Sequence, residues 1–200
     1  MPQYYTDNVR NQVAIAGVSP SDDLPRLLRV NPKNRGLLTL PPTLSATLSG
    51  KQYFYSEAFT LAETTDQKDY VIVTPNTTKW AHLIYRASGS AITEISLWED
   101  TKYTSTDSLT VYNNDRNSTD ANTTLLYQLT TPTSSTDTGS RLIHHKSGSA
   151  TQQSRDDASV EVGDEMILKQ NSRYRLNIVT ESTGNLCNVF LHWHEHTNES

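Results

Sequence analysis

The chain has 200 residues, a formal net charge of −5 and a hydrophobic content of 34%, against roughly 45–50% in an ordinary globular domain. That balance gives no electrostatic reason to bind nucleic acid, which calls for clustered Lys and Arg, and no run approaches the ~20 apolar residues of a membrane span. Ten Tyr and three Trp argue against disorder of the body, so the low apolar content points to a thin two-layer β fold in which each strand gives only alternate residues to the core.

Residues 1–50 hold six of the eight prolines, Pro2, Pro20, Pro25, Pro32, Pro41 and Pro42. Each fixes φ and removes a backbone donor, which predicts an extended arm through which no regular sheet runs. Within it, Ser21-Asp22-Asp23 ahead of Leu24–Arg29 reads as a capped helical turn, with acids at its start and arginine at its end. The apolar residues Ile15, Leu27, Leu28, Leu37, Leu38 and Leu40 are too many for a solvated linker, and we expect them to lie against the body or a partner. Met1–Arg10 lacks the basic and apolar regions of a signal peptide, so synthesis in a cytosol without general secretion is expected.

From Gln52 the apolar period becomes two, and residues 51–200 read as one β domain. The predicted strands are Gln52–Phe59, Tyr70–Thr74, Lys79–Ala87, Ile92–Glu99, Ser108–Asn113, Thr123–Leu129, Arg141–His145, Met166–Lys169, Arg173–Thr180 and Cys187–His194. Thr74–Asp100 reads as a hairpin: Ala81, Leu83 and Tyr85 share one face, Trp80, His82 and Ile84 the other, and Ser88-Gly89-Ser90 supplies the turn. Short strands with turn signals between nearly every pair suggest a sandwich or barrel of Greek-key type. The polar linkers 100–106, 131–139 and 146–159 would form its rims.

Three stretches go further. Thr-Pro-Asn-Thr-Thr-Lys-Trp-Ala-His at Thr74–His82, Glu-Met-Ile-Leu-Lys-Gln-Asn-Ser-Arg-Tyr at Glu165–Tyr174 and the closing Phe-Leu-His-Trp-His-Glu at Phe190–Glu195 resemble the motifs of a family of small structural proteins of tailed bacteriophages. The resemblance covers roughly Gln52 to His196. It implies a head decoration or cement protein at the capsid surface, made in the bacterial host cytoplasm and partnered by the major capsid protein or neighbouring virion proteins. With the strand pattern, it leads us to expect an all-β, jelly-roll-like antiparallel β-sandwich with an extended N-terminal arm, assembled as a homotrimer. The alternative is a receptor- or glycan-binding module of a tail or head fibre, using aromatic residues on its loops.

No catalytic constellation accompanies these features. The acid pairs Asp22-Asp23, Asp156-Asp157 and Asp164-Glu165 are sequence neighbours with no reason to face one pocket, and the nucleophile elbow, phosphate loop and paired CxxC are missing. We expect no enzyme and no cofactor. His192, His194 and His196 would share one strand face and could hold a divalent metal. They resemble the H-x-H opening of cupin metal sites but lack the cupin glycines and downstream Glu, so no stoichiometric metal is expected; His144-His145 point to opposite faces and are weaker still. Cys187 reads as a buried thiol, and Trp80, Trp98 and Trp193 as core or interface anchors.

Overall fold

The computed structural model describes residues 5–7, 12–18, 25–28, 47, 49–103, 106–130, 139–148, 158–161 and 165–197. In chain order the strands are β1 (Tyr5–Asp7), β2 (Gln12–Val18), β3 (Pro25–Leu28), β4 (Gln52–Leu61), β5 (Gln67–Val73), β6 (Lys79–Gly89), β7 (Thr93–Glu99), β8 (Thr106–Ser108), β9 (Tyr112–Asn113), β10 (Leu125–Leu129), β11 (Ser140–Ser147), β12 (Ala158–Glu161), β13 (Met166–Leu168), β14 (Arg173–Thr180) and β15 (Asn185–Thr197). The chain divides into two compact units, Met1–Ser45 with Glu199–Ser200, and Ala46–Asn198.

In the first unit β1, β2 and β3 form an antiparallel sheet, with Tyr5 opposite Ala14, Ile15 opposite Leu28 and Ala16 opposite Leu27. This corrects the expectation that no regular sheet runs here, and it makes Pro25–Leu28 a strand where a helical turn was expected. The prolines punctuate the strands instead of preventing them. β2 contains none, and Pro25 is the first residue of β3, a position where the missing N–H is tolerated. Leu37, Leu38 and Leu40 lie outside the described residues.

The second unit is all-β, two antiparallel sheets packed as a sandwich. Among the described residues one sheet runs β11-β7-β14-β5-β10-β8 and the other β12-β6-β15-β4-β9, with β13 also paired to β6. Alternation builds the interior. Tyr174, Leu176 and Ile178 of β14, with Ile95 and Leu97 of β7, meet Leu83 and Tyr85 of β6 and Leu191 and Trp193 of β15 in one core cluster. Each such side chain, taken out of water, contributes on the order of 1.5–3 kcal/mol. The outward face of the first sheet also buries Asp69 and Arg175, whose Oδ1 and Nε lie 3.3 Å apart, while Asn177 donates to the same carboxylate oxygen at 2.7 Å. Burial pushes the Asp69 carboxyl up and the Arg175 guanidinium down, against their mutual attraction.

The expected hairpin is not formed. β6 and β7 lie in different sheets, so the residues around Gly89 carry the chain across the core. A hairpin and two strands facing one another across a core both bury every second residue, so alternation alone does not separate them. Asn185 secures the crossing: its Oδ1 accepts from Ala91 N–H at 3.0 Å, and its Nδ2 donates to Thr93 Oγ1 at 2.8 Å and Thr180 Oγ1 at 3.0 Å. Gly89 passes so close that a Cβ there would stand 2.0 Å from Thr93 Oγ1. The single strand expected over Ser108–Asn113 is likewise split, β8 joining one sheet and β9 the other.

Inward-facing Glu195 of β15 is a second organising polar residue, only 2% exposed. Its carboxylate accepts the backbone N–H of Thr123 at 2.9 Å and of Thr124 at 2.7 Å and the Thr123 hydroxyl at 2.6 Å, with Lys79 Nζ 3.7 Å away. The segment before β10 is thereby tied to the last strand, and buried donors that would otherwise be orphaned are satisfied.

Candidate functional site: a histidine cluster on the outer sheet face

β6 and β15 pair antiparallel, with His82 opposite His194, Trp80 opposite His196 and Ile84 opposite His192. Ala81, Leu83, Tyr85, Leu191, Trp193 and Glu195 take the inward positions, so the strand period turns His82, His192, His194 and His196 outward. On β6's other side Ile167 of β13 stands opposite His82. Glu165 precedes β13 and so enters the same neighbourhood.

The side chains converge. The rings of His82 and His194 stack with centroids 4.5 Å apart, and His196 lies tilted at 4.5 Å from His82. Glu165 Oε1 is 3.0 Å from His194 Nδ1 and 3.3 Å from His82 Nδ1. His196 Nδ1 is 3.1 Å from Thr197 O, and the Nε2 atoms of His82 and His196 approach to 2.6 Å. One ring nitrogen from each of His82, His194 and His196 lies within 4.8 Å of the other two. Burial holds His194 below the ordinary imidazole value, with Glu165 pulling the opposite way, and burial together with the Arg86 charge lowers His192. Neutral imidazole is the form that ligates metals.

His192 shares the face but not the cluster. It packs beside Phe190 at 5.9 Å, in a strip where Phe54 stacks on Phe190 at 6.3 Å and touches Tyr112 at 5.9 Å. Among the other singled-out residues, His144 Nδ1 pairs with Ser96 Oγ at 3.0 Å on the opposite sheet, and Cys187 is fully buried. Trp193 lies in the core, whereas Trp80 and Trp98 are half-buried. The pairs Asp22-Asp23 and Asp156-Asp157 lie outside the described residues. The strand period alone points to His194 and His196; His82 and Glu165 are additions that only the β6–β15 and β6–β13 pairings bring.

A clasp lies beside the cluster. Thr74, 3% exposed, donates its hydroxyl to Lys169 O at 2.6 Å and accepts from Ser172 N–H at 2.9 Å. Asn171 N–H donates to Pro75 O at 3.0 Å and Gln170 Nε2 to Lys79 O at 3.0 Å. Asn171 takes a positive φ of 50° in this tight turn, a conformation Asn tolerates better than most residues.

Fold and site together define an antiparallel β-sandwich protein with a histidine-rich outer face. Comparison with protein-family models, with curated proteins and with solved structures returns no match to this chain. Among the described residues no helix is long and apolar enough to cross a membrane.

Proposed function

We propose that this chain is a structural protein of a bacteriophage virion, a jelly-roll-like homotrimeric decoration or cement protein bound to the major capsid protein at the head surface. One observation carries the reading. The three stretches that resemble the phage family meet in space: Thr74 of the first clasps Lys169 and Ser172 of the second, while His82 at the end of the first stands opposite His194 of the third. That contact supports reading the three stretches as one signature. The mechanism is mechanical. A subunit that buries about 1,600 Å² against the assembled shell and nothing comparable against free capsid subunits stabilises the shell by mass action. The N-terminal unit, with Ile15, Leu27 and Leu28 on its paired strands, is the segment we assign to attachment.

The second reading, a receptor- or glycan-binding module, is favoured by the strip of Phe54, Phe190 and Tyr112, because aromatic faces suit sugar rings and Tyr112 is 45% exposed. One experiment separates the two: purified protein is added to particles lacking it and located by electron cryomicroscopy. Regular density on the head lattice is the expected result. Density at tail or fibre tips favours the second reading, and absence of binding to particles overturns both.

A further inference from the structure

We propose that His82, His194 and His196 bind one divalent transition-metal ion, zinc being the natural occupant, through their Nε2 atoms, with Glu165 and Thr197 O orienting the rings from behind. The inference does not depend on the virion reading.

The Nδ1 edges carry the first part of the argument. His196 Nδ1 faces Thr197 O at 3.1 Å; a carbonyl only accepts, so that nitrogen bears the proton. His82 Nδ1 and His194 Nδ1 face the same carboxylate oxygen, Glu165 Oε1, at 3.3 and 3.0 Å, and a carboxylate also favours N–H on the nitrogen turned to it. His82 Nδ1 is buried without a hydrogen bond, and the Glu165 carboxylate at 3.3 Å is a charged acceptor within its reach. A carboxylate or carbonyl oxygen behind each imidazole is the arrangement that fixes tautomer and ring direction in histidine metal sites and raises ligand basicity.

The Nε2 edges carry the second part. With its proton on Nδ1, His196 presents an Nε2 lone pair 2.6 Å from Nε2 of His82. A second lone pair at that distance would repel it, so either His82 carries its proton on Nε2 and donates it, or a cation lies between the two nitrogens. An N–H···N hydrogen bond or a metal ion satisfies the requirement, and a third imidazole, that of His194, with a ring nitrogen within 4.8 Å, is redundant for the hydrogen bond but completes a ligand set for a metal. Zn–N bonds of about 2.0–2.1 Å place tetrahedral donors roughly 3.3 Å apart, so the His82 and His196 nitrogens would spread from 2.6 Å and that of His194, within 4.8 Å, would adjust to the same distance. Nitrogen-only donors select zinc, copper, nickel or cobalt over magnesium or calcium. Three protein ligands leave the fourth position to water. The ion would join β6 to the end of β15, with Glu165 extending the brace to the segment entering β13.

The test uses the untagged full-length chain, stripped with chelator and titrated with zinc and, separately, with cobalt, whose visible bands report four-coordination. The expected result is one ion per chain. His82→Gln and His196→Gln should each weaken zinc binding by about a hundredfold or more, beyond the roughly 10–100-fold typical of outer-sphere changes, and Glu165→Gln by roughly tenfold. His192→Gln and His144→Gln should bind as the parent does. Far-UV circular dichroism accompanies each variant; if His82→Gln does not fold, His196→Gln, near the end of β15, carries the same reading. A folded, stripped parent that takes up no zinc leaves the contact as a His82–His196 hydrogen bond and overturns the proposal. Zinc uptake that survives both His82→Gln and His196→Gln, or that His192→Gln abolishes, overturns it as well.

Discussion

Thr124 donates its backbone N–H to Glu195 Oε1 at 2.7 Å across 71 residues of chain. The carboxylate also takes the N–H and hydroxyl of Thr123, so it does for this loop what a ladder partner does for a strand. Removing it strands several buried donors. Glu195→Ala should cost about 3 kcal/mol, since each orphaned buried donor costs roughly 1–3 kcal/mol, and lower the melting temperature by roughly 6–12 °C. Chemical denaturation measures this, and a loss under about 1 kcal/mol would show that water replaces the carboxylate.

Thr74→Val keeps the shape of the clasp and deletes the hydrogen bonds of the hydroxyl, to Lys169 O and Ser172 O and from Ser172 N–H. We expect a loss of about 1–2 kcal/mol, with Thr74→Ser close to the parent. Urea midpoints for the two variants check it. A loss in Thr74→Ser with none in Thr74→Val would mean that the methyl group, not the hydroxyl, matters.

Acid should destabilise the sandwich through two carboxylates. Burial alone would raise the Glu57 pKa, but hydrogen bonds from Lys68, Tyr70 and Tyr55 outweigh it and hold the group below its ordinary 4.5. Glu99 is lowered by Lys169 above all, burial opposing and Tyr174 assisting. A folded-state pKa below the unfolded one makes the contribution complete above about 4.5 and lost as pH falls through the folded value. Stability against pH should therefore drop below about 4.5, and less steeply in Glu57→Gln. A parallel acid limb in that variant would exclude Glu57 as a source.

Burial pushes the Cys187 thiol up to about 11, with Thr93 opposing, and the side chain is fully enclosed. Thiolate is the reactive form. Labelling with a disulfide reagent at neutral pH should therefore run at the rate of unfolding and rise with denaturant in step with loss of structure. Rapid labelling of the native protein would place an opening motion at the Asn185 end of β15.

Strand existence and side-chain parity were legible in the sequence: Ala81, Leu83 and Tyr85 turn inward while Trp80, His82 and Ile84 turn outward, and β14 spans Arg173–Thr180 as expected. Pairing was not legible. Alternation tells which residues share a face, not which strand lies alongside, and the residue that sends β6 and β7 into separate sheets, Asn185, is 94 residues from the Ala91 N–H it accepts. The histidine cluster divides the same way: His194 and His196 follow from a period of two, while His82, 114 residues from His196, arrives only through strand order. In the N-terminal unit, the number of prolines suggests an absence of sheet, while their spacing leaves Gln12–Val18 uninterrupted.

The first and last strands of the sandwich are neighbours, Gln52 standing opposite His194, and Glu195 N–H donates to Lys51 O at 2.9 Å. The order in which the strands are connected is thus separable from how they are arranged. A short tether between the two ends would close the sandwich into a ring, and the ring could be reopened at Thr183-Gly184, where a Cβ on Gly184 would meet nothing within 4 Å. Such a rewired sandwich would keep its ladders in register, and its ends would emerge in that exposed turn instead of at Lys51 and Thr197.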